Sequence, residues 1–170
     1  MSDPAPNALI VMGVSSSGKS SIGKALAERL GWRFADGDDF HPPANVEKQR
    51  AGQALTDEDR WPWLQSIADE IDRVTAEGGK LVVACSALKR AYRDLLVHGR
   101  HDIRIVYLDG SRELIAKRMA ARKNHFMPPS LLDSQFKTLE VPGTDERVIA
   151  VSIDDDIDGI VAAIAKQLPT

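Results

Sequence analysis

The 170-residue sequence predicts an α/β fold, a five-stranded parallel sheet with helices on both faces. Three observations predict it. The apolar run Leu9–Met12 leads through a glycine-bounded loop, Gly13–Ser20, into a helical repeat of Ile22, Ala25, Leu26 and Leu30. Further apolar runs of strand length follow at 32–35, 80–85, 103–108 and 148–153. Helix-forming sequence separates each from the next, so right-handed crossovers bury both faces of the sheet.

The loop after the first strand fits G-x-x-x-x-G-K-[ST], a phosphate-binding P-loop, and the predicted fold is therefore a P-loop nucleoside-triphosphate fold. Gly13 and Gly18 let the backbone between them, Val14, Ser15, Ser16 and Ser17, curl and aim N–H groups at phosphate oxygens. Lys19 brings a point charge to the β/γ-phosphates and the Ser20 hydroxyl is placed for Mg²⁺. Ser21 and the rest of the following helix direct a positive dipole end at the same anion.

The second strand, Trp32–Ala35, ends at Asp36-Gly37-Asp38-Asp39, on the edge where open α/β sheets take ligands. Asp and Gly are also ordinary turn residues, but beside a P-loop the acids read as functional. His41, in Phe40-His41-Pro42-Pro43, reads equally as a substrate contact or a turn histidine. A short helix is expected over 45–51, stopped by Gly52. Thr56 and Asp59 have capping-box spacing and start a helix to about Glu77, with Trp63, Leu64, Ile67, Ile71 and Val74 on one face. Trp61 and Trp63 are read as packing residues. Arg60, a cation near a helix start, is unfavourable to the dipole and so suggests an anionic partner.

Gly78-Gly79 breaks that helix before the third strand, Lys80–Cys85. Many P-loop proteins hold Mg²⁺ with an acid at the end of such a strand. Here none is present, and Asp36 is the nearest replacement. Cys85 reads as a small buried hydrophobe. Helix 92–97 and strand 103–108 follow, then a helix capped by Ser111 with Leu114, Ile115 and Met119 inward. Lys117, Arg118, Arg122, Lys123 and His125 could simply complement its dipole; beside bound phosphates they read as a cationic lid. After Met127-Pro128-Pro129 come a helix from Ser130 to Leu139, the fifth strand, and a last amphipathic helix carrying Ile157, Ile160, Val161, Ile164, Ala165 and Leu168.

Composition excludes several classes. With 43% hydrophobic and 28% charged residues, the chain is neither disordered nor membrane-embedded, and it suits one domain over 1–170. No apolar stretch approaches a membrane span, and Met1–Asn7 lacks the basic and apolar regions of a secretory leader. One cysteine forbids an intramolecular disulfide and suits a reducing, cytoplasmic location. A net charge of −3 argues against a nucleic-acid surface. A regulatory GTPase would need a guanine-reading N-K-x-D string, which is absent; D-x-x-G occurs at Asp156–Gly159, far from the P-loop, and reads as chance.

Small size, an early Asp-x-Asp and a later basic segment are instead similar to small-molecule and nucleoside-monophosphate kinases. Over Leu9 to Leu168 the sequence resembles the gluconate kinase (gluconokinase) family. The resemblance is carried by 12–15, 36–42, 57–60 with 62–64, 85–89 with 92–94, and 134–136 with 138–139. It implies ATP-dependent phosphorylation of D-gluconate at the 6-hydroxyl, giving 6-phosphogluconate. It also implies strand order 2-3-1-4-5, a homodimer, and a shikimate-kinase-like plan with a substrate-binding region at about 40–77 and a lid at about 122–140. Three positions depart from the family pattern: serine for glycine at 16, glutamine for methionine at 49 and asparagine for glycine at 124.

Asp36, the replacement acid, is assigned to the metal through a bound water; by the resemblance to shikimate kinase, Asp38 orients or deprotonates the acceptor hydroxyl. Arg118 stacks on adenine, and Arg122 closes on the transferring phosphate. Gluconate is an anion, so its carboxylate needs a cation: Arg60 and Lys89 are the candidates, with Lys48 behind them and His41 nearby.

Overall fold

The computed structural model describes residues 5–14, 17–121 and 129–168. Strands β1 (Ala8–Met12), β2 (Arg33–Asp36), β3 (Leu81–Ala84), β4 (Ile103–Asp109) and β5 (Val148–Ser152) form one sheet in the order β2-β3-β1-β4-β5. Every pairing is parallel. The expected order is found.

The helices are α1 (Lys19–Leu30), α2 (Pro43–Arg50), α3 (Asp57–Ala76), α4 (Arg90–Val97), α5 (Arg112–Ala121), α6 (Pro129–Thr138) and α7 (Ile157–Gln167). Strand periodicity of two divides the core into two layers. Leu9, Val11, Val82, Val106 and Leu108 meet Ile22 and Leu26 of α1 and Ile160 and Ile164 of α7. Ile10, Met12, Val83, Ile105 and Tyr107 meet Leu64, Ile67 and Ile71 of α3 and Leu96 of α4. Both faces are thus covered, which is why the central strands read as unbroken apolar runs.

Local chemistry sets the ends. Thr56 and Asp59 form the expected capping box, and three acids in the first turn of α3 favour its dipole. Ser111 Oγ accepts from Leu114 N at 3.1 Å, as its capping role requires. Helix α6 begins one residue earlier than expected, at Pro129, because proline's missing N–H costs nothing in a first turn. The D-x-x-G string is the cap of α7: Asp156 Oδ1 accepts from Gly159 N at 2.7 Å. That is a structural duty.

Register puts the ligand edge in place. Asp36 is level with Ala84, and Ala84 with Val11, so the ends of β2, β3 and β1 open on the same side. Below the loop after β3 lies Arg93, 1% exposed, as a junction. Its Nη1 donates to Ala87 O (2.8 Å) and Leu88 O (3.1 Å), and its Nη2 to Glu140 O (2.8 Å). Nε and Nη2 also reach the Glu146 carboxylate, so all five donors are satisfied. Desolvating such a pair is costly, and its fixed geometry matters more here than net stabilisation.

Candidate active site

The P-loop turns directly off β1. Gly18 has φ 95°, the left-handed backbone that glycine tolerates, and α1 starts behind it with no side-chain cap. Its first N–H groups are therefore available to an anion. Gly13 is required for another reason: a Cβ there would lie 2.7 Å from Ser17 Oγ. Ser17 is fully buried, and its Oγ has no hydrogen-bond partner. A buried hydroxyl without a partner beside uncapped amides fits a loop built to close around phosphate. Lys19 Nζ donates to Val14 O at 3.1 Å, holding the ammonium over the loop. Ser15, Ser16 and Arg122, with Lys123, Asn124 and His125, lie outside the described residues.

Asp36 closes β2 beside this loop. Ser20 Oγ donates to its Oδ2 at 2.7 Å, and Asp38 N donates to its Oδ1 at 3.0 Å. Hard oxygen donors at this spot suit Mg²⁺, which takes few protein ligands when phosphates supply the rest. Asp38 stands on a single 3₁₀ turn, Gly37–Phe40, with its carboxylate exposed.

That turn is fixed to α3. Trp63 Nε1 donates to Gly37 O at 2.7 Å, and the His41 ring stacks on Trp63 with centroids 4.2 Å apart. Trp63 is thus a packing residue that also sets the turn. Gly37 has no room for a side chain, since a Cβ would meet Ala84 O at 2.6 Å. Gly37→Ala is expected to lose about 1–3 kcal/mol of stability by overpacking. It should also lower turnover by displacing Asp36 and Asp38; denaturant melts and initial rates check both.

Arg60 and Lys89, far apart in sequence, are brought together by α3 and the start of α4. Arg60 Nη1 donates to Tyr92 Oη at 2.9 Å and lies 3.7 Å from Asp57, while Lys89 Nζ lies 3.3 Å from Asp57. The Tyr92 hydroxyl donates in turn to Asp57, and that bond, ahead of Lys89, holds the carboxyl below the usual carboxylate range. Two cations share one carboxylate, leaving net positive charge for a bound anion. Sequence reasoning did not assign Asp57 and Tyr92, although both lie in the segments that carry the family resemblance. Lys48 is not in this cluster: it is committed to Asp59 at 2.6 Å, tying α2 to α3 and, with the Thr56 amide, lowering the Asp59 pKa to about 2. Gln49 lies exposed on α2. Burial pushes the Cys85 thiol up to about 12, so it is inert, as its reading as a small hydrophobe requires.

A cavity of about 630 Å³ adjoins the P-loop, lined by Gly18, Ser21 and Ile22 of the α1 start, Arg118 and Ala121 of α5, and residues 155–158 before and within α7. Arg118 is braced there by a hydrogen bond from Nη2 to Ile153 O. The volume suits a nucleoside next to its phosphates.

Comparison with known proteins shows the family of the chain. The family model described as shikimate kinase matches residues 15–148. A gluconokinase from Gluconobacter oxydans is 48% identical, over 95% of this chain and 91% of its own. A probable gluconokinase from Mus musculus is 45% identical, over 96% and 98%. The chain belongs to the gluconokinase family. The solved structure of a gluconokinase from Sinorhizobium meliloti, 45% identical, superposes with a TM-score of 0.86 over 96% of this chain and 94% of that one. As in other members of the gluconokinase family, the fold is that of a small kinase, and the chain is an enzyme. Among the described residues, no helix is long and apolar enough to cross a membrane.

Proposed function

We propose that this gluconokinase-family enzyme transfers the terminal phosphoryl group of ATP to the 6-hydroxyl of D-gluconate, giving 6-phospho-D-gluconate in carbohydrate catabolism. One observation carries the reading: the segment 36–41 is bonded on one side to the P-loop serine and on the other to the helix bearing Arg60. It therefore bridges a phosphate site and a cationic cluster suited to a sugar acid.

Phosphoryl transfer has a loose transition state, so the residues mainly position groups and neutralise charge. Lys19 and the loop amides, those of Ser15 and Ser16 included, hold phosphate oxygens. Ser20 and Asp36 would hold Mg²⁺, which supplies charge neutralisation between the phosphates when bound. Asp38 orients the acceptor hydroxyl. Arg60 and Lys89 take the carboxylate. Arg118 is assigned to stacking on adenine, and Arg122 to the charge of the transferring phosphate. The proposal extends to a homodimer, which rests on the family resemblance, and to a cytoplasmic location, which rests on the single cysteine.

A coupled ADP-release assay across gluconate, shikimate, nucleoside monophosphates and no acceptor tests this. ADP release that depends on gluconate supports the proposal. Release driven by shikimate, or acceptor-independent GTP hydrolysis, overturns it.

A further inference from the structure

Asn45 is a buried polar residue that the proposed mechanism leaves unused. It is 3% exposed, in the first turn of α2. Its Nδ2 donates to the backbone carbonyl of Asp59 at 2.9 Å and faces His41 Nδ1 at 3.2 Å. A carbonyl oxygen only accepts, so the Asp59 contact fixes which end of the amide points there. The same nitrogen, with two hydrogens, then donates to His41 Nδ1, which must present a lone pair. The imidazole hydrogen is left on Nε2. The ring plane is fixed as well, by stacking on Trp63 at an interplanar angle of 14°.

Resting on the gluconokinase reading, we propose that Asn45 is a positioning residue that locks His41 as a neutral Nε2–H donor for an acceptor hydroxyl. Recognition is thereby divided: the cations take the carboxylate, and His41 reads the polyol. Protonating Nδ1 would set two donors face to face and leave a buried amide hydrogen unpaired, so the neutral form is favoured. Burial lowers the His41 pKa in the same sense, with Arg60 adding to it and Asp38 opposing. Those two charges face the ring from α3 and the 3₁₀ turn; the nearby Lys48 and Asp59 are paired with each other. Acceptor affinity is therefore expected to hold down to a pH below about 6.5, the ordinary histidine value, and to fall as His41 gains its second proton.

The test begins with the unliganded protein, where ¹⁵N NMR at pH 7.5, with the His41 signal assigned by His41→Gln, should show the Nε2–H tautomer. An Nδ1–H tautomer overturns the proposal whether or not gluconate is the substrate. Asn45→Ala should mix the tautomers and raise the gluconate KM about 2–10-fold, the worth of one hydrogen bond, with a smaller fall in kcat. A folded Asn45→Ala with mixed tautomers and an unchanged KM overturns it. His41→Gln, whose amide can stand where Nε2–H stood, should keep a lower gluconate KM than His41→Asn. Equal KM values for that pair overturn it too, and this comparison needs no Asn45 variant to fold. Absence of gluconate-dependent turnover in the unmodified enzyme, by contrast, strikes at the acceptor assignment and leaves the tautomer result standing.

Discussion

Lys19→Ala lowers kcat/KM by at least about 10²–10³-fold, the scale seen when one preorganised charge-stabilising donor is removed, while the protein remains folded. The size follows from the chemistry. A loose phosphoryl transition state offers little covalent work, so a cation lost from the phosphates takes a large share of the catalysis with it. The fold should survive because Lys19 contributes no apolar core: Ile22 and Leu26, further along α1, carry that packing. Lys19→Arg should fare little better, since a planar fork cannot replace a compact ammonium resting 3.1 Å from Val14 O. Single-turnover rates with a thermal melt check the pair. A folded Lys19→Ala with normal turnover would show that the loop does not serve phosphoryl transfer.

Asp38→Ala is expected to lower kcat by about 10²–10⁴-fold, the range for a positioned acid–base group. Asp38→Asn should retain measurably more activity, because orienting the hydroxyl matters more than removing its proton early. Asp36 has a different task. Both of its oxygens are engaged, one by Ser20 and one by the Asp38 amide, whereas the Asp38 carboxylate stays exposed. Asp36→Asn should therefore raise the Mg²⁺ concentration needed for half-maximal rate. If Mg²⁺ titrations move for Asp38→Asn and not for Asp36→Asn, the two roles are reversed.

The parts of the fold legible in the sequence are those written in local chemistry. The P-loop spells its glycines, Thr56 and Asp59 spell a cap, and buried parallel strands announce themselves as apolar runs. Strand order was not local information; it came through family resemblance, and the sheet pairing agrees with it. The site divides the same way. Ser20 and Asp36 could be matched because a strand end beside a P-loop limits where an acid can come from. The Asp57–Tyr92 bond spans 35 residues and the Arg93–Glu146 pair spans 53, with no spacing rule to connect either. Lys48 illustrates the opposite error of reasoning from charge alone. Its ammonium looks available to a sugar acid in sequence, yet the capping acid Asp59 holds it. His41 stayed ambiguous for a related reason: its role depends on a ring nitrogen's partner, Asn45, four positions away on a helix that charge and periodicity hardly mark.

The Arg93 junction constrains how such a chain can change over generations. A single guanidinium closes against carbonyls from the loop after β3 and from the stretch after α6, and Glu140 returns the favour by accepting from Arg90 N at 2.9 Å. Inserting one residue into either stretch would break that match and strand a buried carbonyl or N–H, at about 1–3 kcal/mol each. Length variation should therefore collect elsewhere, at exposed turns such as 51–54 and 98–99, where the backbone meets water.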